Sequence, residues 1–320
     1  LALGNDPEFP LHRTLVEGCI YPAQARMLPL DLDPAISFCT HLVYASAGIQ
    51  PDTYKMVPLN ENLDVDNAHA NYRTITNFKQ KYPGLKVLIS VGGDADTDSP
   101  EKYNLLVRSS IWHGVKKTFG TTPVDDKETE HREGFTALVR ELKQALNVKP
   151  NLQLCLTVLP NVNSTIYYDV PAIINLVDIV NLDTYDYNTP ERNPKEADYT
   201  SPIYMPQNRN PELNTDAELG YWLKAGAPSH KIVIGIPTFA RTWKLDSERT
   251  YAFRLHDSNT DENGIWVSYE DPDTAGQKAV YAKSKNLGGV SINDLSMDDF
   301  RGLCTGDKYP ILRAAKYRLN

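Results

Sequence analysis

Short apolar runs recur along the chain, each closed by a polar loop and followed by a stretch with helical spacing. The least interrupted are Lys86-Val87-Leu88-Ile89-Ser90-Val91 and Lys231-Ile232-Val233-Ile234-Gly235-Ile236. A strand that stays apolar at successive positions is buried on both faces, which implies parallel pairing beneath helices. Strands are predicted over residues 14–21 (interrupted by Glu17), 41–47, 86–90, 152–159, 179–187, 231–239 and 289–292, with a further strand-like run at 264–270. Helices are predicted over 68–81, where Ala68, Tyr72, Ile75 and Phe78 share a face and Pro83-Gly84 ends the run, and over 126–146, where Phe135, Leu138, Val139, Leu142 and Leu146 form one stripe. Helices over 215–223 and 274–284 continue the alternation. Strand then helix, repeated with right-handed crossovers, builds either a doubly wound sheet or a (β/α)8 barrel. No Gly-x-Gly-x-x-Gly follows the first strand, which weakens the dinucleotide-binding alternative.

Composition narrows the class. The 320 residues carry a net charge of −8 and no dense cluster of Lys and Arg, so nucleic acid is not an expected partner. No apolar run reaches the length of a membrane span, and membrane insertion is not expected. Of the four cysteines, Cys19, Cys39, Cys155 and Cys304, none forms a Cys-x-x-Cys pair or a zinc-knuckle spacing. Cys155 sits inside an apolar strand and reads as a buried thiol. Asp94, Asp96 and Asp98 alternate in one loop, yet Ser99 and Leu105 stand where a calcium loop needs Gly and Glu. Neither a metal nor a cofactor is expected. The chain starts at Leu1 with no charged and apolar leader, so any secretion signal is expected to have been removed or never included.

The strand ends carry a resemblance. Ser90-Val91-Gly92-Gly93, Asn181-Leu182-Asp183-Thr184-Tyr185-Asp186-Tyr187, Gly235-Ile236-Pro237-Thr238-Phe239-Ala240-Arg241 and Leu287-Gly288-Gly289-Val290 resemble the barrel strands of the chitinase-like glycoside hydrolases, family eighteen. His41-Leu42-Val43-Tyr44-Ala45-Ser46-Ala47-Gly48-Ile49, Thr157-Val158-Leu159-Pro160-Asn161-Val162-Asn163-Ser164 and Gly264-Ile265-Trp266-Val267-Ser268-Tyr269-Glu270 are similar to the insect imaginal disc growth factors of that family. The resemblance runs over most of the chain from about Leu28. It implies a single (β/α)8 TIM-barrel domain of the chitinase type over 1–320, secretion into a haemolymph-like body fluid, and no hydrolase activity. The implied role is that of a growth factor or carbohydrate-binding lectin acting as a monomer on a cell-surface receptor or glycan.

Three departures from the family pattern matter. Catalysis there requires a strand ending Asp-Gly-x-Asp-x-Asp-x-Glu, whose Glu protonates the glycosidic oxygen while the substrate's own acetamido oxygen attacks. That motif occurs nowhere in this chain. Either the strand is missing from this sequence, leaving an active secreted chitinase as the alternative, or the acid never existed. Around Val107-Arg108 the sequence passes directly to residues that resemble the segment beyond that strand. Between Trp243 and Tyr251 most of the inserted α+β subdomain is missing, leaving a remnant at about 243–271, and the first strand near 15–26 is only partly recognisable. A barrel short of a strand exposes two edges, so the expectation is that the molecule possesses residues this sequence omits. A Cα spacing other than about 3.8 Å at these joins would reveal it.

The resemblance also assigns candidate site residues. Tyr185 and Asp186 match positions that hold the acetamido group and the catalytic machinery, at the strand ends where barrel sites form. Asp183 shares a strand face with Tyr185 and puts a carboxylate where a sugar would lie. Arg241 resembles a substrate-contacting arginine, and Tyr44 ends the second strand at the barrel mouth; for both, a structural hydrogen-bonding role outweighs ligand contact. Asp94 and Asn293 stand where the enzymes carry stacking Trp residues, which argues against tight chito-oligosaccharide binding. Asn163-Ser164-Thr165 is the sole N-glycosylation sequon and falls on the mouth side. Cys19 and Cys39 match a family disulfide, and the family partner of Cys304 lies in the missing subdomain.

Overall fold

The computed structural model describes residues 16–22, 29–50, 55–66, 70–91, 128–148, 152–159, 163–205, 208–245, 258–260, 264–304 and 306–320. Gly92 and Gly93, the Asp94–Asp98 loop and the Val107–Arg108 join lie outside the described residues, as does most of the stretch from Trp243 to Tyr251.

Seven strands pair in parallel into one curled sheet. They are β1 (Val16–Pro22), β2 (His41–Ile49), β4 (Lys86–Val91), β5 (Cys155–Val158), β6 (Ile179–Leu182), β7 (Ile232–Pro237) and β11 (Gly289–Asn293). Their spatial order is β4-β2-β1-β11-β7-β6-β5, so the last parallel strand pairs with the first, as a barrel demands. Among the described residues β4 and β5 each have one neighbour only. A short β3 (Met56–Pro58) runs antiparallel against the end of β2. The expected (β/α)8 TIM-barrel class is the fold found, and the doubly wound alternative is excluded.

Helices cover the outer face of the sheet. They are α1 (Pro29–Ile36), α2 (Glu61–Asp64), α3 (Asn71–Lys81), α4 (Glu128–Leu146), α5 (Ser164–Tyr167), α6 (Val170–Ile173), α7 (Thr215–Lys224), α8 (Pro272–Ser284) and α9 (Pro310–Leu319). Local chemistry sets their ends. Asn214 accepts the Ala217 amide at 2.9 Å and starts α7. Asp271 and Thr274 form a reciprocal capping box at α8, with Pro272 in the first turn, so the helix starts two residues earlier than its apolar spacing predicts. The buried Asp298 carboxylate receives the Leu312 amide at 3.1 Å and thereby caps α9. Leu32, Ile36, Leu42, Val180, Leu182, Ile232, Ile234, Ile292 and Leu312 are all at most 1% exposed and fill the layer between strands and helices. The Tyr309 hydroxyl donates to the Asp31 carbonyl at 2.6 Å, tying the last helix to the first.

Past β7 the chain forms a second, antiparallel sheet ordered β8-β10-β9: β8 (Arg241–Lys244), β9 (Ser258–Thr260) and β10 (Ile265–Ser268). Trp243 and Trp266 face each other across it, with ring centroids 5.3 Å apart. These strands occupy the stretch in which the sequence left only a remnant of the inserted subdomain.

Cys19 of β1 and Cys39, beyond α1, are disulfide-bonded, as the resemblance implied. Cys155 and Cys304 are free thiols. Burial, with the nearby Asp178 carboxylate, pushes the Cys155 thiol up to about 12, which makes it inert as a nucleophile. The bridge closes a short loop of 20 residues. Replacing both Cys19 and Cys39 by Ser is expected to cost about 3 kcal/mol, read as a fall in the urea midpoint. A loss under about 1 kcal/mol would mean that the reduced chain is already held by the barrel.

Candidate functional site

Polar residues appear at alternate positions inside two otherwise apolar strands: Asn181 and Asp183 at the end of β6, Ser291 and Asn293 on β11. Alternation places each pair on one face of its strand. The strand between them, β7, carries Gly235 opposite Ser291 in the register. With no side chain at Gly235, the groups on β6 and β11 meet across it. Ser291 Oγ donates to Asn181 Oδ1 at 2.6 Å, and Asn181 Nδ2 donates to Asp183 Oδ1 at 2.9 Å. The Tyr185 hydroxyl hydrogen-bonds to the Asp183 carboxylate and accepts from Asn293 Nδ2. The result is a continuous polar network across the floor of the barrel mouth.

Tyr185 reaches this network by a route that strand periodicity does not describe. The predicted strand over 179–187 stops at Leu182, after which the Thr184 amide bonds to the Leu182 carbonyl at 2.9 Å and the Tyr185 amide to the Asp183 carbonyl at 2.8 Å. Asp186 then takes a left-handed φ of +53°. Asp183 and Tyr185 therefore meet because the backbone curls, not because they share a strand face. Tyr185 is 3% exposed and packs edge-on against Phe239 at 5.7 Å. Burial, then the Asp183 charge, holds its phenol well above the ordinary tyrosine range, so it stays a neutral hydroxyl.

Asp186 and Arg241 form a bidentate pair, Nε to Oδ1 at 2.8 Å and Nη2 to Oδ2 at 2.7 Å. The same guanidinium lies 4.7 Å from the Phe239 ring centroid, and Arg192 donates to the Asp186 carbonyl. Asp183, Tyr185, Asp186 and Arg241 are thus brought together, with Phe239 between the phenol and the guanidinium. Tyr44 lies within β2, and its described hydrogen bonds run to α2 and α3. It is 2% exposed, donates to the Asp64 carboxylate and accepts from Asn71 Nδ2 at 3.2 Å, which binds β2 to α2 and α3. Asn163 is exposed at the start of α5, where its Oδ1 accepts from Thr165 Oγ1 at 2.6 Å.

The next residue of the motif, Tyr187, donates to Glu218 Oε2 of α7 at 2.6 Å. Burial raises the Glu218 carboxyl to about 8, against the lowering effect of the Tyr187 bond; the Asp183 charge adds to the rise. The unfolded carboxyl ionises near its ordinary 4.5, while the folded one keeps its proton to about 8. Its contribution to stability is therefore present at low pH and is lost as pH rises between these values. Glu218→Gln retains an acceptor for Tyr187. It is expected to flatten this pH dependence, with no gain at pH 4 and the largest gain at pH 8, by urea unfolding. An unchanged pH profile would refute the buried acid.

These side chains gather at the strand ends of a parallel β/α barrel, the end at which barrel active sites form. The chain belongs to the glycosyl hydrolases family 18, whose description it matches over residues 20–298. It is 57% identical to chitinase-like protein EN03 of Bombyx mori over 397 aligned positions, covering 93% of this chain and 92% of that one. It is 39% identical to imaginal disk growth factor 6 of Drosophila melanogaster over 401 positions, covering 90% and 88%. Since 397 positions exceed the 320 residues of the chain, at least 77 of them fall where EN03 has residues and this chain has none. The fold matches catalytic domain 2 of the Ostrinia furnacalis group II chitinase with a TM-score of 0.79 at 22% identity, covering 95% of this chain and 96% of that one. It also matches human YKL-39, described as a pseudo-chitinase with retained chitooligosaccharide binding properties, with a TM-score of 0.75 at 23% identity, covering 95% and 99%. No helix among the described residues is long and apolar enough to cross a membrane.

Proposed function

We propose that this protein is a secreted, catalytically silent chitinase-like protein that recognises a glycan, or a glycosylated cell-surface receptor, at the barrel mouth. The observation that carries this reading is the engagement of both carboxylates beside Tyr185. Asp183 is bound into the Asn181–Tyr185 network and Asp186 is ion-paired with Arg241. Protonating a leaving oxygen requires a carboxyl that holds a proton and is aimed at substrate. An ion-paired carboxylate only accepts, and the sequence has no Asp-Gly-x-Asp-x-Asp-x-Glu to supply another. What remains at the floor are hydroxyls, amides and a Phe-backed guanidinium, groups that bind a sugar without cleaving it. The Cys19–Cys39 disulfide and the exposed Asn163 sequon fit an oxidising, secretory route.

The test pairs two measurements. Hydrolysis of a fluorogenic chitotrioside is expected to stay at background, while calorimetry detects chito-oligosaccharide binding that Arg241→Ala weakens. Turnover above background would overturn the silent reading. It would favour the alternative, an active chitinase whose acid-bearing strand is absent from this sequence. Absence of both turnover and glycan binding, with no response in a cell-growth assay, would sink the recognition reading.

A further inference from the structure

Residues 188–213, between β6 and α7, border an open cleft of about 290 Å3 whose lining shares no residue with the Tyr185 network. It is lined by Asn188, Asn193, Glu196, Asp198, Asn208 and Arg209, together with Asn210, and only Pro202 and Leu213 present apolar surface. Arg209 spans both carboxylates: its guanidinium donates to Glu196 and its Nε lies 3.0 Å from Asp198 Oδ2. The acids are thus already satisfied, and the wall retains one surplus negative charge.

Hydrogen-bonding groups open to a ligand belong to the amides, of which Asn188 is buried, Asn193 half-buried and Asn208 and Asn210 exposed. Asn193 and Asn208 make no side-chain hydrogen bond within the described residues. Asn188 uses only its Nδ2, on the Tyr199 carbonyl, and Asn210 only its Oδ1, for the Glu212 amide. The walls are nevertheless fixed. The Asn193 carbonyl accepts from Trp243 Nε1 at 3.0 Å, and the Asp198 carboxylate accepts from the Tyr199 amide at 2.8 Å.

We propose that this cavity binds one neutral saccharide unit, as a site separate from the barrel mouth. An asparagine amide offers a donor and an acceptor side by side, and a sugar hydroxyl is likewise both, so four amides match a ring of hydroxyls. A simple cation would call on free carboxylates, and here Arg209 occupies them. The surplus negative charge excludes uronic and sialic acids. The volume sits at the low end for small-ligand sites, which suits a single ring and not an oligomer. Pro202 and Leu213 provide the apolar contact for its C–H face.

Saturation-transfer NMR on the intact chain tests this, with the methyl glycosides of glucose, mannose and N-acetylglucosamine as probes and methyl glucuronide and putrescine as controls. Asn193→Ala combined with Asn208→Gly removes two amides; glycine suits the left-handed φ of +61° at Asn208. At least one neutral glycoside is expected to bind, with affinity falling roughly fivefold or more in the double variant. Binding should persist in Arg241→Ala, and glucuronide should fail to bind. Asn208→Asp adds a charge while retaining an acceptor, and should weaken neutral binding less than the double variant does. Preference for putrescine, binding that disappears with Arg241 and not with the asparagines, or no binding of any neutral glycoside would overturn the site. Because Arg241→Ala reports on the barrel mouth alone, failure here is distinguishable from failure of the proposed function.

Discussion

Replacing Lys278 by methionine is expected to cost about 3–5 kcal/mol of folding stability, one of the two largest losses anticipated for a single substitution in this chain. The Lys278 and Glu270 side chains are 3% and 5% exposed and form an ion pair beneath the β6–α7 loop. Ser201 Oγ donates to the same Glu270 oxygen and accepts from Lys278 Nζ at 2.8 Å. Among the described residues Glu270 Oε2 has no hydrogen-bond partner. Among the described residues its carboxylate is held by Lys278 and Ser201, so Lys278→Met strands a buried charge. The urea midpoint should fall at unchanged slope. The double variant Lys278→Met/Glu270→Gln should recover part of the loss, since it removes the charge along with its partner. A single-variant loss below about 1 kcal/mol would show that Glu270 reaches water. Ser201 precedes Pro202 of the asparagine-lined cavity, so this pair also anchors the loop that shapes it.

Gly235→Ala is expected to act on both stability and ligand recognition. A Cβ at Gly235 would lie 2.7 Å from Tyr185 Cε1, 3.1 Å from its Cδ1 and 3.2 Å from the Leu182 carbonyl oxygen. The ring cannot swing aside cheaply, because its hydroxyl is bound to Asn293 and Asp183 and its edge meets Phe239. Overpacking of this kind costs about 1–3 kcal/mol. Here it also breaks the floor network, so chito-oligosaccharide binding should fall by at least about tenfold. Gly220→Ala is the contrasting case. It lies within α7, meets nothing within 4 Å, and should stabilise by about 0.5–1 kcal/mol while leaving binding unchanged. Equal behaviour of the two variants in thermal melts and calorimetry would refute the steric account of Gly235.

Much of the barrel was legible because burial on both faces leaves a plain signal. The runs at 231–239 and 289–292 became buried parallel strands, and the stripe from Phe135 to Leu146 became α4; the run at 86–90 also became a parallel strand, but against expectation none of its residues is fully buried and Ile89 is 38% exposed. Other elements carried weaker signals. Pro34 within α1 argues against a helix, and α2, α5 and α6 are single turns too short for periodicity. The candidate site was legible only through resemblance: of the residues it named, Asp183 bonds to Tyr185 and Asp186 to Arg241, while Tyr44 bonds to Asp64 and Asn71. Asn181, Ser291 and Gly235 were missed as members of it. Their signal was present in the chain: a polar residue at alternate positions in a buried strand has to find a partner, and a glycine opposite such a residue makes room for one. The cavity between Asn188 and Asn210 had no sequence signature, since asparagine-rich loops are ordinarily just turns.

The Asp186–Arg241 clamp has a consequence for the salt dependence of the proposed recognition. Its two charges cancel within the protein, leaving the Asp183 carboxylate as the charge at the floor, so a neutral ligand would displace few counter-ions on arrival. Capture at the barrel mouth should consequently be slow to respond to added sodium chloride. Binding governed this way tracks shape and hydrogen-bond pattern, and would hold steady as the ionic content of the surrounding fluid rises and falls.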